Sequence, residues 1–258
     1  MKNMKISSRL KTYMIWLFWA VLWQAAHLAI QNDVIFVGPF DMLGALWQLL
    51  PEVSFWQTLL HSFFKISAGF LMAFVLGILL GWASYACSFV KDLLEPPMLL
   101  IRSVPVASFV ILALIWTGSK NLSVFISFLV VYPMIHVNTK AGLISADREL
   151  LEMAEVFHVP FIRRAFYIYR TALYPYLKSA CRTALGMGFK SGIAAEVIGV
   201  PDGSIGEGLY LAKIYLSTAE LFAWTVVIIL VSSLFEKGFL WILKKCAGKG
   251  ADVNESDK

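Results

Sequence analysis

Arg102, Lys190 and Glu196 stand inside stretches that are otherwise apolar. A charge at the centre of a membrane helix costs at least about 2.5 kcal/mol unless it is paired or wet, so such residues mark solute paths or buried ion pairs. Lys190 facing a path favours an anion; its competing role is a structural ion pair. Lys190 and Glu196 are six residues apart. On one helix they project on different faces and cannot pair by a simple i,i+4 contact. Each needs a partner on another element, or water. Arg102 lies near one end of its apolar run and can also snorkel to the interface. No catalytic constellation accompanies them. Cys87, Cys181 and Cys246 are far apart, and His27, His61, His136 and His158 lack ligand spacing. Gly186-Met-Gly188-Phe-Lys190-Ser191 lacks the Gly-Lys adjacency of a phosphate-binding loop. The chain is expected to be non-catalytic, with no metal and no cofactor of its own.

A second group of candidates lies between Lys140 and Arg182, where the chain turns charged. Asp147, Arg148, Glu149, Glu152, Glu155, Arg163, Arg164, Arg170 and Lys178 fall between those two. The segment reads as helix, break, helix over about 145–172. Ser145 or Asp147 caps the first helix, and Glu149 places negative charge in its first turn. Leu150, Leu151, Ala154 and Phe157 then line one face at helical spacing. His158-Val159-Pro160 interrupts, and Pro160 suits the first turn of a new helix. Arg163, Arg164 and Arg170 are interleaved with Phe166, Tyr167 and Tyr169. Such a pair of helices either lies on a membrane surface, basic on one side and aromatic on the other, or docks on a partner in the aqueous phase.

These residues need elements to hold them, and composition says which. The chain is 59% hydrophobic and 15% charged, with mean hydropathy +0.72; soluble domains carry about 25% charged residues. Runs free of Asp, Glu, Lys and Arg cover 12–32, 66–90, 103–119 and 121–139. A helix needs about 20 apolar residues to cross the hydrocarbon core, so this is a polytopic all-α membrane protein. Open sheets are excluded, because lipid offers no partner to a strand edge. Six spans are expected, at about 12–30, 63–86, 98–117, 122–139, 180–199 and 220–243, forming one transmembrane domain over 1–258 with a polar tail at 244–258. The apolar run near the N-terminus exceeds the usual h-region of about 7–15 residues, so it reads as a retained span, not a signal peptide.

The net charge of +5 reflects orientation, not nucleic-acid binding. Lys2, Lys5, Arg9 and Lys11 precede the first span, and Lys244, Lys245, Lys249 and Lys258 follow the last. Residues 31–57 carry Asp33, Asp41 and Glu52 but no Lys or Arg. By the positive-inside rule both termini are cytoplasmic and 31–57 is external. Within 31–57, Phe40 to Leu50 forms a short amphipathic helix ended by Pro51. Gly69, Gly77 and Gly81 allow close helix approach. Pro96-Pro97 restarts the chain after a short turn, and Pro105 and Pro133 kink their spans. Gly203, Gly206 and Gly208 lie in an outer loop.

Several of these pieces, in order, resemble a known family. Glu152-Met153-Ala154-x-x-x-His158, with Pro175 and Gly186 downstream, is similar to the EAA signature of bacterial ABC importer permeases. Arg102-Ser-Val-Pro105-Val-Ala107 and Leu114-Ile-Trp116-Thr-Gly118 look like the third-span segment of the nitrate/sulfonate/taurine group. Ala195-Glu196-Val-Ile-Gly199, Gly203-Ser-Ile-Gly206-Glu-Gly208-Leu209 and Glu236-Lys237 resemble its fifth-span ending, outer loop and acidic-basic pair. The resemblance implies a type I ABC importer permease (MetI-like) fold in the bacterial cytoplasmic membrane. It implies that Glu152, Met153, Ala154, His158, Val159 and Pro160 form the coupling contact with an ATPase. The implied partners are two cytoplasmic ATPase subunits that use the ATP, an extracytoplasmic solute-binding protein and a second permease copy, as a homodimer. The group suggests a small solute, with sulfonate-like anions preferred. Two residues depart from the signature: Met153 replaces an alanine and His158 replaces a glycine, where a left-handed backbone is served best by glycine and tolerated by histidine. The alternative is a secondary transporter or channel without an ATPase; such folds often carry paired repeats with broken helices, and none is found. A membrane-embedded enzyme would need clustered His, Asp or Cys on facing spans.

Overall fold

The computed structural model describes residues 2–247, and side chains over 10–245. The side chains of Lys2, Lys5, Arg9 and Cys246, and the polar tail beyond 247 with Lys249 and Lys258, lie outside the described residues. Within them all regular structure is helical: α1 (Lys2–Ile30), α2 (Pro39–Leu49), α3 (Val53–Ala86), α4 (Ser88–Ser103), α5 (Val106–Thr117), α6 (Leu122–Ile144), α7 (Arg148–Val156), α8 (Phe161–Arg164), a π turn (Ala165–Tyr169), α9 (Arg170–Gly199), α10 (Ile205–Ile214) and α11 (Thr218–Ala247).

The centre is a three-helix stack, with α6 packed between α3 and α9. Small residues let the backbones close. A Cβ on Gly69 would fall 2.3 Å from the Val124 carbonyl oxygen, and on Gly77 and Gly81 2.8 Å from Ile135 and Thr139. The Gly77-x-x-x-Gly81 spacing is thus a contact stripe, since helices in lipid associate by close packing and not by hydrophobic exclusion. Ser127 Oγ on α6 donates to the Ile66 carbonyl at 3.2 Å. Phe70, Val131, Ile135, Leu143, Cys181 and Leu185 fill one end of the core. Phe55, Ile66, Phe189, Ile193 and Trp224 fill the other. α6 runs unbroken past Pro133, which is buried in it.

Among the described residues four helices are long and apolar enough to cross a membrane: Leu10–Ile30, Val53–Ala86, Leu122–Ile144 and Thr218–Lys245. α4 and α5 supply a fifth only as a broken pair, bent by 110°. The expected span at 98–117 is therefore not one kinked helix, and Pro96-Pro97 does not restart the chain. α4 begins at Ser88 and passes through both prolines; the carbonyls they free belong to Asp92 and Leu93, which are exposed. The break falls at Val104-Pro105 instead, because proline holds the residue before it out of the helical region, and Val104 is extended at φ −82°, ψ 134°. The expected span at 180–199 is the second part of α9, whose charges Arg170, Lys178, Arg182, Lys190 and Glu196 set it apart from the apolar helices.

The remaining helices close the ends. α2 occupies Pro39–Leu49, as the amphipathic pattern indicates, and buries Met42 and Ala45 on the side packed on α11. α1 leaves Trp16 and Trp19 72% and 60% exposed. It is tied to the rest through Trp23 Nε1, which donates to the Val37 carbonyl at 2.9 Å, and through the Trp23–Phe222 ring contact at 5.8 Å. Lys65, near the outer end of α3 in the expected orientation, reaches across and donates to the Lys120 carbonyl in the turn before α6.

Candidate functional site

The charged segment folds as two short helices around a tight turn. Asp147 is the N-cap of α7: its Oδ1 accepts from the N–H groups of Glu149 at 2.9 Å and Leu150 at 3.4 Å. At the other end Val159 N–H donates to the Ala154 carbonyl at 2.8 Å and His158 N–H to the Glu155 carbonyl at 3.0 Å. That pair is the Schellman arrangement, and it requires a left-handed residue between helix and exit. His158 is that residue, at φ +50°. The histidine thus adopts the backbone that a glycine would take there. Arg164 Nε closes the turn on the far side by donating to the Val159 carbonyl at 2.8 Å.

Ala154 is buried, but its neighbours face out. Met153 is 51% exposed, Val156 and Phe157 each 74%, Phe161 62% and Ile162 79%. Of the face drawn by Leu150, Leu151, Ala154 and Phe157, Ala154 alone is buried, and Phe157 is 74% exposed. α7 ends at Val156, and Phe157 is the C-cap, at φ −82°, ψ 7°, so helical spacing no longer governs its direction. Glu152 is exposed and meets Arg148 at 3.3 Å, an i,i+4 pair of the kind that contributes little. Arg170 stacks over the Phe166 ring at 3.8 Å.

This surface is wired to the transmembrane core by aromatic rings. Trp82, near the end of α3, meets Phe161 at 5.9 Å and Tyr169 at 5.3 Å. Tyr85 meets Tyr169 at 5.9 Å, and their hydroxyls lie 3.4 Å apart. Burial, and then the hydrogen bond with Tyr85, push the Tyr169 phenol up to about 12, so the hydroxyl stays protonated at cellular pH. The sequence marked Tyr169 only as part of an amphipathic helix. Its partner lies 84 residues away, and no local pattern reveals such a contact.

Glu196 is fully buried. Its Oε2 accepts from Ser62 Oγ at 2.7 Å and from Gly206 N–H at 3.4 Å. Ser62 Oγ in turn accepts from Ile205 N–H at 2.9 Å, and Ser123 flanks the same carboxyl. The carboxyl thus ties α3 and α9 to the start of α10. The outer glycines belong to this knot. A Cβ on Gly206 would fall 2.3 Å from the Glu196 backbone, and one on Gly208 3.0 Å from the Trp224 ring. Gly203 has φ +67°; its N–H donates to Glu207 Oε2 at 2.6 Å and its carbonyl meets His61 Nδ1 at 2.8 Å. Glu207 N–H donates to Ser204 Oγ at 3.0 Å, so Ser204 caps α10 as in half of a capping box, with the Glu207 carboxylate reaching Gly203 instead of the cap residue, within what the sequence reads as a glycine-rich loop. S-x-x-E before an apolar run is the signal that marks it.

The other candidates stay apart from this knot. Lys190 is exposed and makes no hydrogen bond or ion pair among the described residues. It shares one open face of α9 with Thr183, Met187 and Ala194, and a Cβ on Gly186 would touch nothing within 4 Å. Arg102 is exposed at the end of α4, beside a cavity shared with His136 and Lys140. Pro105 sits at the α4–α5 break. Arg182 Nε meets Glu236 Oε1 at 3.6 Å, joining α9 to α11.

Residues 73–243 match the family model described as binding-protein-dependent transport system inner membrane component. The taurine transport system permease protein of Escherichia coli is 24% identical over 224 residues, 84% of this chain and 81% of that protein. A putative aliphatic sulfonates transport permease protein of the same species is 28% identical over 235 residues, 90% of this chain and 83% of that protein. The bicarbonate transport system permease protein of Synechococcus elongatus is 23% identical over 191 residues, 73% of this chain and 68% of that protein.

Proposed function

This chain belongs to the family of binding-protein-dependent transport system inner membrane components, and from that premise we propose that it carries a small oxyanion through the membrane along a path beside α9. It is a multi-pass permease component of an ABC importer, and its family implies an ATPase and a solute-binding protein as partners. The finer reading has six spans with both termini cytoplasmic, two identical permease copies and two ATPase subunits. ATP is bound and used by those subunits and not by this chain.

One observation carries the reading. The α7–α8 segment turns Val156, Phe157, Phe161 and Ile162 to the solvent, around a well-formed turn that is too short to build a core of its own. Apolar side chains grouped in this way mark a surface that a partner covers. Glu152, Met153, Ala154, His158, Val159 and Pro160 form that docking surface, and the Trp82 stack passes its movement to α3. Lys190, unpaired on the open face of α9, lines the path, and buried Glu196 holds the outer end together. The relatives' names share a chemistry: taurine, sulfonates and bicarbonate all carry a sulfonate or carboxylate-type oxyanion, which supports a sulfonate-like solute.

Co-expression of the chain with candidate ABC ATPase subunits of its host tests the docking surface. One should co-purify, and Ala154→Trp should abolish the association while leaving the permease in the membrane. Unaltered association with uptake intact would remove the coupling role. For the path, Lys190→Met in the assembled complex should lower uptake severely; normal uptake would exclude Lys190 from it.

A further inference from the structure

The charges of α4 gather on one side. Phe89, Leu93 and Leu100 are 73%, 61% and 64% exposed on the other, while Lys91, Glu95 and Arg102, also exposed, lie on the side toward α6. There they line a cavity of about 170 Å³ with His136 and Lys140, above the buried Met98. A water's share of volume is about 30 Å³, so the space holds one small polyatomic group and a few waters.

The lining is chemically one-sided. Three cations, Lys91, Arg102 and Lys140, face one carboxylate, Glu95. None of the four side chains makes a hydrogen bond or an ion pair among the described residues. His136 is 5% exposed, and its Nδ1 has no hydrogen-bond partner. Buried polar atoms are nearly always satisfied, so the imidazole points to an occupant that brings hydrogen-bonding capacity of its own. Guanidinium and ammonium groups converging on one small space match an oxyanion, which accepts several charge-assisted hydrogen bonds at once.

We propose that this cavity binds one sulfate, sulfonate or phosphate-ester group, with Arg102 and Lys140 as its main contacts and His136 at its floor. The group is supplied either by a free solute or by the headgroup of an anionic lipid, whose binding in basic pockets between membrane helices is physically equivalent. The site rests on this geometry and not on the nature of the transported solute.

The full-length chain in phosphatidylcholine nanodiscs, with no ATPase present, provides the test. Radiolabelled sulfate should bind saturably. Arg102→Gln and Lys140→Gln should each weaken it by about tenfold or more, the loss expected for one hydrogen bond to a charged group. Glu95→Gln, which removes the one opposing carboxylate, should tighten it. In phosphatidylglycerol nanodiscs, undiminished sulfate binding identifies a free solute as the occupant, and competitive loss identifies the lipid headgroup; either supports the site. Two results overturn it. One is no saturable sulfate binding together with no retention of phosphatidylglycerol over phosphatidylcholine in native mass spectra. The other is sulfate binding that is the same in wild type and all three variants. Neither readout involves uptake, so failure here leaves the transport reading to its own experiments.

Discussion

At the scale of single residues, His158 shows how a departure from a family signature is absorbed. A left-handed backbone costs a residue with a Cβ about 1–2 kcal/mol, and His158 adopts it at φ +50°. His158→Gly is expected to raise stability by roughly 1 kcal/mol, seen as a higher melting temperature of the purified protein; a lower one would mean that the histidine ring makes a contact worth more than the strain. Glycines divide in the same way. Gly206→Ala drives a methyl to within 2.3 Å of the α9 backbone and should destabilise by about 1–3 kcal/mol or more. Gly186→Ala meets open space inside a helix and should raise stability by about 0.5–1 kcal/mol. Equal melting temperatures for the two variants would contradict the α9–α10 contact. The N-cap of α7 was legible in the sequence as Ser145 or Asp147, because a cap is satisfied within three residues of chain, and the structure selects Asp147. The buried pairing of Glu196 with Ser62 was not, because nothing local links positions 134 apart.

At the scale of elements, the break between α4 and α5 and the aromatic bridge below α3 carry the mechanical content. Pro105 holds Val104 extended, and the 110° bend follows. Pro105→Ala should let the two helices join. Spin labels at Leu93 and Ile115, both exposed, would then move apart; an unchanged separation would mean that packing of α5 on α6 holds the bend without the proline. The bridge of Trp82 to Phe161 and Tyr169 joins the proposed docking surface to the core. Trp82→Ala should therefore leave ATPase association intact while uptake per ATP hydrolysed falls. Uptake and hydrolysis that remain in the wild-type ratio would place the transmission elsewhere. The sequence showed one span at 98–117 and its prolines, and located the restart at Pro96-Pro97. Proline frequency alone does not say which proline breaks a helix; exposure of the freed carbonyls does, and that is a property of the fold.

At the scale of the whole molecule, α9 presents an open face of Thr183, Met187, Lys190 and Ala194 while its opposite face is packed on α6. That uncovered face accords with the proposed second copy, which would close a path along α9. Thr183→Cys in a chain without other cysteines should form a disulfide with the same position of that copy in membranes under oxidation. Monomer alone on a denaturing gel would argue for a different face, or for an unlike partner.

The sequence by itself determined the solvent this protein lives in, the apolar cores of its long helices, the start of α7 near Ser145–Asp147 and the small-residue stripe of α3. Each of these rests on interactions that reach no further than a turn or two along the chain, or on transfer of whole segments into lipid. Only the tertiary structure decided which faces meet. It buried Glu196 among three helices, left Lys190 open, bent the chain at Val104-Pro105 and turned the charged face of α4 onto His136 and Lys140. Those outcomes depend on the competition among all possible helix pairings in a close-packed stack, and backbone proximity at particular glycines settles that competition.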